Sequence, residues 1–259
     1  MTEHAGTPVA ALRRSHTQLA ALVGGLSATA IEGPSYASEW TIAQVLSHLG
    51  SGAEIGLLAV AAARAGDEPP AQDALEAVWD RWNAKSPADQ AADCPGADRR
   101  LVEALEAIGP DEAGGLTFHI GPMELDTTGY ARLRLAEHAV HVWDVAVMGD
   151  PAATVDEVAV DQLMEVLPML AGFVGRSTGE ARRVRVTTTG PDQDLLLDVG
   201  ADSLRLGPWD GGDEPARLLS SAEALLRLVY GRLDPAHTPA SVETSGVGLD
   251  DLRALFPGF

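Results

Sequence analysis

The sequence predicts an α+β protein of two domains, in which a helical bundle precedes a smaller α+β domain. Three observations support this prediction. Apolar residues recur at helical spacing through about the first 150 residues, the turn-forming segment GDPAAT follows at 149–154, and runs typical of β-strands occur only beyond it. With 259 residues, of which 46% are hydrophobic, the chain is long enough to bury two cores. We place the boundary between residues 150 and 151.

Four helical segments are predicted in the first domain. Thr41 is expected to cap the second of them, because Gln44 follows three residues later in a capping-box pattern. We expect the segment DCPGAD at 93–98 to interrupt the extension of the third helix. The four segments are Val9–Leu26; Ile42 to about Arg64; Asp73–Lys85 with an extension over Pro87–Ile108; and Asp126 or Thr127 to about Met148. Four such helices predict a bundle.

The second domain mixes helical and strand patterns. A helix is predicted from about Val155 to Val174, and a second helical stretch runs from Leu218 to Val229. Alternating or apolar runs predict strands. These runs are RVRVTTT from Arg183, LLLDV from Leu195, SLRL from Ser203 and a short strand over Ser241–Thr244, before a closing helix from Leu249.

The charge composition limits the kinds of molecule that the protein is expected to bind. The net charge of −20, from 38 acidic and 18 basic residues, disfavours nucleic acids and anionic membranes, so we expect a small-molecule substrate. No run of about 18 apolar, uncharged residues is present, and the start of the sequence lacks a signal-peptide pattern, which predicts a cytoplasmic protein. The single cysteine, Cys94, excludes an internal disulfide framework and predicts a loop thiol.

The fourth helix carries a pair of candidate metal ligands. Glu137 and His141 are four residues apart, so their side chains project from one face of the helix a single turn apart. Asp144 lies three residues further on the same side. His138 is turned by about 100° from Glu137 and is expected to point away from both the ligand face and the apolar stripe.

His48 is the candidate third ligand. It flanks the apolar stripe of the second helix, as Glu137 and His141 flank that of the fourth, so all three are expected to meet at one end of the bundle core. Two imidazoles and a carboxylate suit zinc or another borderline divalent ion, and three ligands leave positions open, as in catalytic sites. Asp144 either fixes a histidine tautomer behind the ligands or faces solvent. Spacing alone also allows an ordinary surface Glu–His pair and an isolated boundary histidine.

Two motifs in the first domain carry a resemblance to a known family. Residues Trp40 to Gly50 read W-T-I-x-x-V-L-x-H-L-G, and E-x-x-x-H-x-x-D follows at Glu137 to Asp144. With these motifs the chain resembles the mycothiol-dependent maleylpyruvate isomerase family of DinB-like metal-binding four-helix bundles. The resemblance implies that His48, Glu137 and His141 bind the metal. It also implies a DinB-like bundle over 1–150 and a sterol-carrier-like α+β domain over 151–259.

In the second domain the resemblance depends on the segment L-x-x-L-V-Y-G-R at Leu225 to Arg232. It implies that Arg232 reaches towards the active site as a catalytic residue. Without the resemblance, a Gly-Arg pair after a helix is also an ordinary helix end with a favourable charge.

The resemblance implies a divalent metal, with zinc the expected ion, and mycothiol as cofactors. A metal stabilises a thiolate over a thiol, and the thiolate is the nucleophile, so isomerisation of an electrophilic double bond and S-transfer both fit. Only one of the 18 basic residues is lysine, a bias compatible with the GC-rich genome of an actinobacterial host. The alternatives are a non-catalytic small-molecule or metal-binding protein on the same fold, and a vestigial metal site with a thiol-free reaction.

Overall fold

The computed structural model describes residues 6–37, 39–121, 123–212 and 216–258, and it confirms an α+β fold. The chain divides into two compact units, Met1–Ala153 and Thr154–Phe259. The first unit is mostly helical and the second combines helices with a five-stranded sheet. Residues 1–5 lie outside the described ranges. They begin the segment for which the sequence predicts no signal peptide.

The first unit is built around a helical bundle. Its elements are α1 (Pro8–Gly25), α2 (Ala28–Glu32), α3 (Ile42–Ala65), α4 (Gln72–Asn83), α5 (Pro87–Glu106), α6 (Pro110–Ala113), β1 (Phe118–Ile120), β2 (Met123–Leu125) and α7 (Thr127–Ala146). Helices α1, α3, α5 and α7 pack against one another, and α4 packs against α3. Thr41 and Gln44 form the predicted capping box at the start of α3, and Asp126 caps α7. The short helices α2 and α6 and the β1–β2 hairpin were not predicted from the sequence.

The predicted interruption within 87–108 is wrong, because α5 continues through Pro95. A proline in a helix loses one backbone hydrogen bond, but the faces of α5 that carry Ala91, Cys94 and Leu101 are fully buried. Packing against α3 therefore outweighs the local preference for a turn. Cys94 is consequently a buried helical residue rather than a loop thiol, and burial raises the pKa of its thiol well above the usual range.

Among the described helices, α3 is long and apolar enough to cross a membrane by length and composition. Half of its most apolar window is nevertheless buried inside the protein. Its residues Val45, Leu46 and Ala53 are completely enclosed. These properties are those of a core helix in a bundle.

The second unit places helices beside a mixed sheet. Its elements are α8 (Glu157–Met164), α9 (Leu167–Val174), β3 (Arg182–Thr189), β4 (Gln193–Val199), β5 (Leu204–Pro208), β6 (Arg217–Ser221), α10 (Ala222–Val229), a 3₁₀ turn (Pro235–His237), β7 (Glu243–Ser245) and α11 (Leu249–Leu255). The strand order is β5-β4-β3-β6-β7, with β3 and β6 parallel and the other neighbouring pairs antiparallel. Helix α10 packs on β3 and β6, and α9 packs on β5.

Two sequence predictions in this unit need correction. The helix expected over Val155–Val174 is split into α8 and α9, because Pro168 lies in the first turn of α9 and cannot donate a hydrogen bond to a preceding turn. Leu218 and Leu219 belong to strand β6 rather than to the following helix. There they pair with both β3 and β7, so the sheet overrides their helical spacing.

Candidate metal centre

His48 on α3 and Glu137 and His141 on α7 come together in the first unit. One nitrogen from each histidine and one carboxylate oxygen all lie within 4.8 Å of one another. Each side chain is partly exposed, so the group lies at the edge of the bundle core and is open to small molecules. Helices α3 and α7 pack against each other through their apolar faces. Each therefore contributes side chains to the same cluster at the edge of the core.

The distances in this cluster fit a divalent ion. His48 Nε2 lies 3.2 Å from Glu137 Oε2, and His141 Nε2 lies 3.9 Å from the same oxygen. Zinc–nitrogen and zinc–oxygen bonds of about 2.0–2.2 Å place the ligand atoms of a tetrahedral site about 3.4 Å apart. Only small side-chain movements are therefore needed for these three groups to share one ion.

Asp144 orients one of the histidines. Its Oδ2 lies 2.9 Å from His141 Nδ1, and the Asp144 side chain is fully buried. Because a carboxylate only accepts hydrogen bonds, Nδ1 must carry the proton and Nε2 keeps its lone pair. This tautomer leaves the nitrogen nearer Glu137 available as a metal ligand, an arrangement common behind histidine ligands.

Trp40, in the loop before α3, covers the two histidines. Its ring centroid lies 5.2 Å from that of His48 and 6.0 Å from that of His141, and it is nearly parallel to the His141 ring. The two imidazoles meet edge to face with centroids 4.9 Å apart. These ring contacts restrict both imidazoles to the positions from which their nitrogens face Glu137.

The electrostatics favour an ionised Glu137. The hydrogen bond from His48, together with the charges of His141, His48 and Arg134, lowers the pKa of the Glu137 carboxyl to about 2. Arg134 was not singled out in the sequence, although it lies one helical turn before Glu137. Its guanidinium packs over Gly52, where a Cβ atom would lie 3.1 Å from Nη1. Glycine at this position therefore makes room for a cation beside the cluster.

His138 faces away from this cluster, as predicted, but it does not face away from the core. The side chain is fully buried, and its Nε2 donates to Asp98 Oδ2 at 2.9 Å. Its Nδ1 lies within hydrogen-bond distance of Ser15 Oγ, at 2.8 Å, and His16 Nδ1 donates to the same Asp98 oxygen at 2.7 Å. The prediction that His138 points away from the apolar stripe is thus wrong, because buried hydrogen-bond partners on α1 and α5 satisfy its ring.

Arg232 belongs to the second unit. It follows Gly231, whose positive φ of 71° ends α10, and a Cβ atom on that glycine would lie 2.6 Å from Gly258 Cα. The Arg232 side chain is buried, and its Nη1 donates to the Tyr230 carbonyl at 2.7 Å. Its role towards the metal centre stays a prediction.

Comparisons with known proteins agree with this layout. The family model of the mycothiol maleylpyruvate isomerase N-terminal domain matches residues 12–146, a segment that includes all three clustered residues. The crystal structure of a mycothiol-dependent maleylpyruvate isomerase is 14% identical, with a TM-score of 0.66 over 92% of this chain and 91% of that one. A histidine-to-alanine mutant of such an isomerase gives a TM-score of 0.65 at the same identity and coverage. A search of curated proteins found no match.

Proposed function

The chain belongs to the mycothiol maleylpyruvate isomerase family, and from this premise we propose that it is a metal- and thiol-dependent enzyme acting on a small electrophilic substrate. The observation that carries the proposal is the cluster of His48, Glu137 and His141 within 4.8 Å. These residues would hold one divalent ion, most suitably zinc, and mycothiol would be the thiol. The reaction is isomerisation or S-transfer.

The two histidines and the glutamate of the cluster provide ligand atoms that suit a divalent ion. Two neutral imidazole nitrogens and one carboxylate suit a borderline divalent metal, and three protein ligands leave at least one position for a further ligand. A divalent ion carrying a thiolate there would supply reversible addition of sulfur to an activated double bond, which permits rotation about that bond before the sulfur leaves.

The chain's own residues prepare the site for this chemistry. Asp144 fixes the proton of His141 on Nδ1, so the Nε2 lone pair faces the cluster. Trp40 covers one side of both imidazoles and restricts their rotation. In this proposal the Arg232 guanidinium holds a carboxylate of the substrate or cofactor through paired hydrogen bonds, as the family resemblance implies.

The expected partners are small molecules, and the expected location is the cytoplasm. The net charge of −20 repels polyanions, so small molecules rather than nucleic acids are the expected partners. We expect the protein to work in the cytoplasm, where low-molecular-weight thiols are kept reduced.

A turnover assay tests the function. Purified protein is incubated with zinc, mycothiol and maleylpyruvate, and the conversion of substrate to its trans isomer is followed with and without the thiol. We expect conversion that needs the thiol and disappears in His141→Ala, whereas the control variant His119→Ala, altered at the exposed position of strand β1, retains it. Consumption of thiol with formation of an adduct would identify S-transfer. Thermal stabilisation by substrate without any product would contradict an enzymatic role.

A further inference from the structure

Arg134 is a cation beside the metal centre that has no part in holding the metal. It lies on α7 three residues before Glu137, and its charge is one of those that lower the pKa of the Glu137 carboxyl. A helix rises about 1.5 Å per residue, so the two residues are offset by about 4.5 Å along α7. Because Arg134, Glu137 and His141 are spaced at i, i+3 and i+7, they share one face of that helix.

Gly52 on α3 makes room for the guanidinium. A Cβ atom on this glycine would lie 3.1 Å from both Nη1 and Nη2 of Arg134. Gly52 comes one helical turn after His48 on α3, and Arg134 comes about one turn before Glu137 on α7. The guanidinium therefore lies one turn away from the metal centre, between the same two helices.

Arg134 has no hydrogen-bond partner among the residues that the structure describes. Its Nε is buried without a partner, and no ion pair of its guanidinium is present among those residues. A guanidinium carries five N–H donors, and burying donors without acceptors costs free energy. Other arginines of the first unit are paired with carboxylates, namely Arg13 with Glu106, Arg64 with Glu112 and Arg81 with Glu54.

A carboxylate is the acceptor that matches a guanidinium best, since its two oxygens accept two parallel N–H bonds. Glu137 is the nearest carboxylate along α7, but it is hydrogen-bonded to His48. The described part of the first unit thus provides no carboxylate for Arg134. The expected acceptor belongs to a bound molecule.

We propose that Arg134 binds a carboxylate of the electrophilic substrate and thereby determines which electrophiles the site accepts. The inference rests on the proposed function for the reaction at the metal centre, whereas the binding of the carboxylate depends on Arg134 alone. With the carboxylate on Arg134, the double bond of a small substrate lies one helical turn away, beside His48, Glu137 and His141. Unlike the role expected of Arg232, this contact needs no residue of the second unit.

Two probes of the same shape test the contact. Maleamate and maleamide both contain an activated double bond, but maleamate carries one carboxylate and maleamide carries none. Titrations followed by ligand-observed NMR measure their dissociation constants on the zinc-loaded protein without any thiol. We expect the wild type to bind maleamate at least about tenfold tighter than maleamide. Equal affinities for the two probes would overturn the proposal.

Protein variants then separate Arg134 from the zinc, which also attracts carboxylates. Arg134→Gln should reduce the maleamate advantage to the part that the zinc supplies, at least about fivefold below that of the wild type. Arg134→Lys keeps the charge without the paired donors and should retain an intermediate advantage. Arg205→Gln, at an exposed position of β5, changes the net charge equally and should keep the full advantage. Zinc content and melting temperature verify that each variant is loaded and folded.

Two results with these variants would overturn the proposal. The first is a maleamate advantage that survives Arg134→Gln unchanged. The second is full retention in Arg134→Lys, because the charge would then act without the paired hydrogen bonds.

A second pair of probes tests whether the carboxylate comes from the thiol instead. N-acetylcysteine and its amide differ from each other as maleamate and maleamide do. We expect wild type and Arg134→Gln to bind this pair with the same ratio of affinities. A ratio that changes for the thiol pair and not for the maleamate pair would assign Arg134 to the thiol and overturn the proposal.

Turnover separates this inference from the proposed function. With zinc and mycothiol present, Arg134→Gln should lower kcat/KM for maleamate at least about tenfold more than for maleamide. If the wild type converts neither electrophile, the proposed function fails, and the binding titrations still support or overturn the contact. If the variant converts both as fast as the wild type, the contact is overturned while the proposed function stands.

Discussion

Glu137 and His138 are neighbours on α7, but their side chains belong to different clusters. Glu137 Oε2 lies 3.2 Å from His48 Nε2 at the edge of the bundle, whereas His138 Nε2 lies 2.9 Å from Asp98 Oδ2 in the core. The buried contact fixes the rotation of α7 relative to α1 and α5. Fixing that rotation also determines where Glu137 and His141 face.

We expect His138→Ala to destabilise the first unit substantially. The change leaves the buried Asp98 carboxylate with His16 as its remaining histidine partner, and loss of one partner of a buried pair costs about 3–5 kcal/mol. Urea unfolding measures the free energy of unfolding. His119→Ala serves as the control, and we expect it to change that free energy by less than about 0.5 kcal/mol. A loss below about 1 kcal/mol for His138→Ala would contradict a structural role.

The same network predicts a pH dependence of stability. Burial opposes ionisation of Asp98, but the charge of His138 and the hydrogen bonds from His138 and His16 outweigh it and hold the pKa of this carboxyl well below its usual range. A carboxyl with a lower pKa in the folded state stabilises the protein above its unfolded-state pKa of about 3.9, and this contribution is lost as the pH falls further.

Asp98→Asn tests this pH dependence. Unfolding free energies of wild type and variant are compared from pH 7 to pH 3. We expect a difference that is larger at pH 5 than at pH 3, because at low pH the carboxyl of the unfolded wild-type chain takes up its proton while that of the folded protein stays ionised. A difference that does not change over the whole range would show that the ionised form contributes no stability.

Glycine at position 50 is required by the packing of α3 against Trp82. A Cβ atom there would lie 2.2 Å from the Trp82 ring, so Gly50→Ala should cost about 1–3 kcal/mol through overpacking. Gly24 lies in the exposed last turn of α1 with no atom within 4 Å of its added Cβ, and Gly24→Ala should stabilise by about 0.5 kcal/mol. Thermal unfolding measures both variants. Destabilisation by both to the same extent would contradict the role assigned to Trp82.

Loss of the Asp144 charge should weaken metal binding. Asp144→Asn keeps the shape of the side chain but removes the carboxylate that fixes the His141 tautomer, and such changes typically lower metal affinity about 10- to 100-fold. Competition with a chromogenic chelator measures the zinc dissociation constant. Asp161→Asn, at an exposed position on α8, is the matched control and should leave the constant unchanged. Equal affinities of the two variants would exclude Asp144 from the site.

Much of the candidate site could be predicted because it depends on helix geometry. The four-residue spacing of Glu137 and His141 and the capping box that begins α3 at Thr41 are local properties of the sequence. The apolar stripes then determine which faces of α3 and α7 meet, which brings His48 to the same cluster. The sequence pattern also predicted that His138 would lie off this face.

The features that could not be predicted depend on tertiary packing. Nothing local shows that α5 continues through Pro95, since the burial of Cys94 and Leu101 against other helices decides it. The partners of His138 come from α1 and α5, 123 and 40 residues away in sequence. Leu218 and Leu219 have helical spacing, but pairing with β3 and β7 makes them a strand.

The central claim is that His48, Glu137 and His141 bind one divalent metal, and metal content tests it most directly. Wild-type protein, His48→Ala and His141→Ala are loaded with zinc, dialysed and analysed by elemental mass spectrometry, with His237→Ala in the second unit as the control. We predict about one zinc ion per chain in the wild type and the control, and little in the two ligand variants. The same negligible metal content in all four proteins would contradict the claim.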